Sequence, residues 1–127
     1  MTGESILIVD DNAINLKLAK VTLKIAGYDV HTAIDADDAL SILATFQPRL
    51  ILMDLQLPGM DGLALTRKLK ANPQYKNTII LAVTAYAMKG DEEKALSAGC
   101  HGYIAKPINT QALPDIVASY FKKNGKK

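Results

Sequence analysis

Four short runs of apolar, β-branched-rich residues each end on a different polar group, and this pattern leaves few folds open. Ile6–Val9 leads into Asp10 and Asp11, Leu50–Met53 into Asp54, Ile79–Val83 into Thr84, and Tyr103–Ala105 into Lys106 and Pro107. Continuously apolar runs of this length read as strands buried on both faces, which is the pattern of a parallel sheet. Ligands of such sheets bind beyond the carboxyl ends of the strands. One rim would therefore gather three carboxylates, a hydroxyl and an ammonium.

The segments between these runs have helical spacing and carry stop signals. Asn12–Ala26 reads as a helix with Asn12 as N-cap and Gly27 as stop. Tyr28–Ala33 alternates enough to be a less buried strand. Asp35–Phe46 reads as a helix closed by Gln47 and Pro48. The loop Leu55–Asp61 is marked by Pro58 and Gly59. A helix over Gly62–Ala71 stops before Asn72 and Pro73. The loop Thr84–Lys89 leads into a helix over Gly90–Ala98, which Gly99 ends. The last helix spans Thr110–Lys123, with Pro114 in or near its first turn, where proline is tolerated. Five strands, each followed by a helix, predict an α/β fold with helices on both faces of one parallel sheet. Right-handed crossovers favour the doubly wound order 2-1-3-4-5. Strands 1 and 3 are then neighbours, and Asp10, Asp11 and Asp54 meet in one crevice.

The 127 residues fit a single domain over 1–127, with no internal repeat, linker or low-complexity segment. Hydrophobic residues make up 49% and charged residues 22%, as in a globular rather than a disordered chain. No stretch approaches the ~20 apolar residues of a membrane span. The N-terminus has no leader-like segment, and the lone Cys100 suits a reducing compartment, so a cytoplasmic location is expected. The net charge of +2 sits largely in Lys122, Lys123, Lys126 and Lys127, read as a solvated, frayed tail over 122–127. With 13 acidic residues and no basic stripe carrying interleaved aromatics, nucleic-acid binding is not expected.

Three carboxylates brought together repel one another, so either their pKa values rise or a cation sits among them. An all-oxygen site suits Mg²⁺ or Mn²⁺. Zinc is disfavoured by a single cysteine and by His31 and His101, far apart in the chain. A carboxylate beside such a metal can be a nucleophile that forms an aspartyl phosphate. The metal and the Lys106 ammonium would neutralise the phosphoryl oxygens, and the Thr84 hydroxyl could hydrogen-bond one of them. Each group alone has an ordinary reading. An Asp pair after a strand is often a helix cap, Asp54 could be a turn residue, Lys-Pro is common, and Thr84 could be a routine loop residue. Their joint placement at strand ends is what chance does not supply.

These residues also carry a family resemblance. The chain resembles the receiver domain of two-component response regulators over nearly its whole length. The matching pieces are Ile6-Leu7-Ile8-Val9-Asp10-Asp11-Asn12, Leu52-Met53-Asp54-Leu55-Gln56-Leu57-Pro58-Gly59-Met60-Asp61-Gly62, Val83-Thr84-Ala85 and Tyr103-Ile104-Ala105-Lys106-Pro107. The resemblance implies the flavodoxin-like (βα)5 fold and a phosphoryl group accepted on Asp54. The donor would be a phosphohistidine of a histidine kinase or phosphotransfer protein. Asp10, Asp11, Asp54 and the Gln56 carbonyl would hold Mg²⁺. Thr84, Ala85 and Lys106 would contact the phosphoryl group. Thr84 and Tyr103 would act as switch residues, altering the face built from helix 4, strand 5 and helix 5, where a downstream protein would bind. Gln56 and Tyr86 occupy positions that influence phosphoryl hydrolysis in the family, and a bulky Tyr86 would shield the site from water.

Residues 84–93 look like those of DivK-type single-domain cell-cycle regulators. The Asp10-Asp11-Asn12 start, Asn15 and Gln56 look equally like receivers of hybrid kinases, where the domain serves as a relay intermediate or phosphate sink. The first helix has two apolar stripes, Ile14/Leu18/Val21/Ile25 and Leu16/Ala19/Leu23/Ala26. One must pack on the sheet. The other, near Ile14, Asn15 and Leu18 and with Pro107 nearby, would dock the kinase or phosphotransfer helix. Three other functions fit the residues less well. A haloacid-dehalogenase-type phosphatase would need a second carboxylate where Gln56 stands, so turnover of an outside substrate is not expected. A flavodoxin-like cofactor protein would need a glycine-rich phosphate loop where Asp10-Asp11-Asn12-Ala13 stands. A degenerate, constitutive scaffold would not need the intact acidic pair, Thr84 and Lys106.

Overall fold

The computed structural model describes residues 4–57, 62–84, 91–106 and 108–124. The strands are β1 (Ser5–Val9), β2 (Asp29–Ala33), β3 (Leu50–Asp54), β4 (Ile79–Thr84) and β5 (Gly102–Ala105). The helices are α1 (Ala13–Ile25), α2 (Ala36–Leu43), α3 (Gly62–Lys70), α4 (Asp91–Ala98) and α5 (Leu113–Asn124). The sheet is wholly parallel in the order β2-β1-β3-β4-β5, as expected. Because alternate side chains of a strand face opposite ways, each strand supplies two cores. Leu7 and Val9, Ile51 and Met53, and Ile80 and Ala82 face a layer that includes Ala36, Ala39 and Leu43 of α2, Leu65 and Leu69 of α3, and Ala95 of α4. Ile6 and Ile8, Leu50 and Leu52, and Leu81 and Val83 face Ala19 and Leu23 of α1 and Leu113, Val117 and Phe121 of α5.

The register brings the polar groups level with one another. Asp10 continues the ladder past β1 by donating its N–H to the Ala33 carbonyl at 3.0 Å. Leu55 N–H reaches the Val83 carbonyl at 3.0 Å, and Lys106 N–H reaches the Thr84 carbonyl at 2.8 Å. Asn12 caps α1 as its sequence suggests, its side-chain oxygen accepting from the Ile14 and Asn15 N–H groups, both at 3.0 Å. Gly27 adopts φ 103°, the left-handed conformation that ends a helix without a Cβ penalty.

Apart from shifts of a residue or two at element ends, the structure departs from the sequence reading at three boundaries and one added turn. Thr84 is the last residue of β4 rather than the first of a loop, because it pairs with Ala105. Helix α2 ends at Leu43, short of Phe46, whose ring instead lies 3.9 Å from that of His31. Helix α5 begins at Leu113, because the Asn109 side chain accepts from the Gln111 and Ala112 N–H groups and holds a separate turn ahead of it. Between α3 and β4 the chain makes an unforeseen 3₁₀ turn over Pro73–Tyr75. The buried Tyr75 and the Lys70 ammonium secure it, the latter donating to the Thr78 carbonyl at 2.6 Å and the Tyr75 carbonyl at 3.1 Å. Burial lowers the pKa of Lys70. Cys100 is the small buried residue its context suggests, and burial pushes its thiol pKa up.

Candidate functional site: an acidic cluster at the carboxyl rim

The rim assembles the polar groups as expected. Asp10 and Asp54 are 4% and 1% exposed, while Asp11 stands in solvent beside them. One carboxylate oxygen from each of Asp10, Asp11 and Asp54 lies within 4.8 Å of the others. The Lys106 ammonium reaches in from the end of β5, 3.0 Å from Asp54 Oδ2 and 3.6 Å from Asp10 Oδ2. The other oxygen of Asp10 and that of Asp54 are each held by a backbone N–H. Asn12 N–H donates to Asp10 Oδ1 at 2.8 Å, and Gln56 N–H donates to Asp54 Oδ1 at 2.9 Å.

Burial raises the pKa of Asp10, and the neighbouring Asp54 adds to the rise. The Asn12 N–H and Lys106 pull the other way. With all three carboxylates ionised, one ammonium leaves the cluster two negative charges in excess. That excess and the oxygen-only donor set fit a hard divalent cation of the Mg²⁺ type.

Thr84 is buried at the end of β4, and its hydroxyl accepts from the Gln56 side-chain amide at 3.1 Å. The resemblance gives Gln56 a backbone carbonyl for the metal and a position that influences phosphoryl hydrolysis, but no contact with Thr84. No spacing signal could have revealed the side-chain contact, because it joins the ends of two strands that meet only in the folded sheet. Tyr103 is half-buried on β5 and packs against the core layer beneath α2, α3 and α4. Ala85, Tyr86 and Pro107 lie outside the described residues.

The two stripes of α1 separate along the helix, except that Ala26, at its C-cap, is exposed. Ala19 and Leu23 are buried with Leu16 partly so, whereas Ile14 is 71%, Leu18 52%, Val21 45% and Ile25 82% exposed. Asn15 and Leu18, with Ala19, Ile108 and Thr110, line a groove between α1 and the segment leading into α5.

The arrangement of acidic cluster, hydroxyl and ammonium on this sheet is what the receiver resemblance implies. The family model of the response regulator receiver domain matches residues 6–118. The chain belongs to the response regulator receiver family. It is a receiver domain of two-component signalling. It is 39% identical over 117 residues to the polar-differentiation response regulator DivK of Brucella anthropi, covering 92% of this chain and 95% of that protein. The chemotaxis response regulator CheY4 of Vibrio cholerae superposes with a TM-score of 0.88 at 29% identity, over 93% of this chain and 98% of that one. A CheY-like receiver domain protein of Methanospirillum hungatei does so at 0.85 and 30% identity, over 98% of each chain. Receivers of this family generally use Mg²⁺, and the acidic cluster could hold such an ion. Among the described residues, no helix is long and apolar enough to cross a membrane.

Proposed function

We propose that Asp54 accepts a phosphoryl group from a phosphohistidine of a histidine kinase or phosphotransfer protein, and that the receiver signals by altered protein binding. The observation that carries this reading is the buried Asp54 carboxylate, held 3.0 Å from the Lys106 ammonium and beside two further carboxylates. In the transfer, an Asp54 oxygen forms the new P–O bond as the P–N bond to the donor imidazole breaks. The imidazole leaves with the electron pair of that bond and takes up a proton. Asp10, Asp11, Asp54 and the Gln56 backbone carbonyl would hold Mg²⁺ (or Mn²⁺). When bound, that ion supplies positive charge against the transferring oxygens. Lys106, already within hydrogen-bond distance of Asp54, neutralises a phosphoryl oxygen, and the Thr84 hydroxyl donates to another. Ala85 is assigned as a phosphoryl contact on the family resemblance alone.

Thr84 and Tyr103 then convert the charge on Asp54 into a population shift at the face of α4, β5 and α5. The chain is read as one receiver domain over 1–127, working in the cytoplasm without nucleic acid or membrane. Lys122–Asn124, which the sequence reading gave to a tail, belong to α5, and residues 125–127 lie outside the described residues. Intact mass after incubation with acetyl phosphate tests the acceptor reading. A gain of one phosphoryl mass that requires Mg²⁺ is expected, and no gain at any Mg²⁺ concentration would sink it.

The exposed stripe of α1 is the docking surface of this reading, with Ile14, Asn15 and Leu18 nearest the rim and Pro107 assigned by resemblance. Three turns of unpartnered apolar surface, flanked by Lys17, Lys20 and Lys24, suit a helix of a partner protein. Ile14→Ala is expected to slow phosphotransfer from a protein phosphohistidine about tenfold, in keeping with the loss of one buried anchor. It is expected to leave phosphorylation by acetyl phosphate unchanged. Equal slowing with both donors would remove the docking role.

A further inference from the structure

Gln56 stands exposed at the lip of the site, yet it touches two buried groups at once. Its backbone N–H holds Asp54 Oδ1 at 2.9 Å, and its side-chain Nε2 donates to Thr84 Oγ1 at 3.1 Å. A threonine hydroxyl has one proton and two lone pairs. An amide N–H that donates to Oγ1 occupies a lone pair, so the hydroxyl's own proton is directed to an acceptor elsewhere. The Gln56 side chain thereby fixes the hydroxyl in the role of a donor. Thr84 is 1% exposed, so water has little access with which to reorient it.

We infer that Gln56 is a positioning residue, whose side-chain amide holds the Thr84 hydroxyl as a hydrogen-bond donor for a phosphoryl oxygen on Asp54. The inference rests on the reading of Asp54 as the phosphoryl acceptor. It adds a role for the side chain to that of the backbone carbonyl. Because the contact spans the ends of β3 and β4, one residue aligns both the acceptor carboxylate and the hydroxyl that must meet its product. A side chain of similar length without an N–H donor would vacate the lone pair that the amide now occupies, and part of the hydroxyl's population would point its proton there, away from the incoming group.

The test is the affinity for beryllofluoride, a phosphoryl mimic, titrated by calorimetry at saturating Mg²⁺. Gln56→Met keeps the side-chain length and removes the donor. It is expected to bind roughly three- to tenfold more weakly, the size of one partly exposed hydrogen bond. In a Thr84→Ala background the same substitution is expected to change the affinity by less than about twofold, because the hydroxyl it orients is gone. A merely structural effect of Gln56→Met would persist in that background. Persistence of the full penalty there, or wild-type affinity in the Gln56→Met single variant, would overturn the inference.

Gln56→Glu separates the two ways an amide can face a hydroxyl. A carboxylate can only accept, so it would draw the Thr84 proton to itself, and binding weaker than that of Gln56→Met is expected. Binding as tight as the wild type would mean that the amide oxygen already takes that proton, which overturns the inference. A wild-type chain that binds no beryllofluoride overturns the acceptor reading and this inference with it. Wild-type binding with an unaffected Gln56→Met overturns the inference alone.

Discussion

Asp54→Asn leaves the intact mass of the chain unchanged after incubation with acetyl phosphate and Mg²⁺, under conditions in which the wild type gains one phosphoryl group. The expected loss is at least about a hundredfold in rate, because an amide has no anionic oxygen with which to attack phosphorus. Asp54 is singled out from Asp10 and Asp11 by its surroundings. It is the most buried of the three and lies closest to the Lys106 ammonium, at 3.0 Å against 3.6 Å for Asp10. Asp11 is exposed and stands away from that ammonium's reach as an ion-pair partner among the described contacts. The variant stays folded, because asparagine fills the same volume and its carbonyl oxygen can still accept from the Gln56 N–H. A thermal melt within a few degrees of the wild type would check this. A phosphoryl mass gain in Asp54→Asn, mapped by fragmentation to Asp10 or Asp11, would move the acceptor to that residue.

Gly62→Ala is expected to destabilise the protein by about 3 kcal/mol, toward the upper end for forcing extra atoms into a packed site, and to lower the melting temperature by roughly ten degrees. A Cβ at Gly62 would run into the Asp54 carbonyl oxygen and lie 2.8 Å from Leu55 Cα. Both are backbone, so neither can swing aside as a side-chain tip would. The Gly62 N–H also bonds the Leu55 carbonyl at 3.2 Å, tying the start of α3 to the end of β3. The substitution therefore strains the very segment that presents Asp54. Alongside the lower melting temperature, slower phosphorylation by acetyl phosphate is expected. A melting temperature equal to the wild type would show that the β3–α3 junction yields, contrary to this packing argument.

The strand ends were legible because the change from an apolar run to a polar group is a local property of the chain. Ile6–Val9 before Asp10 and Leu50–Met53 before Asp54 mark both the buried strand and the place where it reaches solvent. The handedness of parallel crossovers then restricted the strand order, and with it the meeting of Asp10 and Asp54. The Asn12 cap and the Gly27 stop were readable for a similar reason, since both act on backbone groups a few residues away. The early end of α2, the turn over Pro73–Tyr75 and the late start of α5 were not, because packing of Phe46 and Tyr75 and the Asn109 turn compete with helical spacing there.

Helix α1 makes the division concrete. Its two stripes have the same spacing, so periodicity alone could not say which meets the sheet. Ala19 and Leu23 do so, and Ile14, Leu18, Val21 and Ile25 are left outside. The side-chain bond from Gln56 to Thr84 was equally out of reach, as was the placement of Lys106 between two carboxylates. Residue types and their order along the chain suffice for the identity of the polar groups and the rim they share. Exposure, hydrogen bonding and ion pairing depend on separations in space between residues far apart in sequence, so they exist only once β1, β3, β4 and β5 lie side by side.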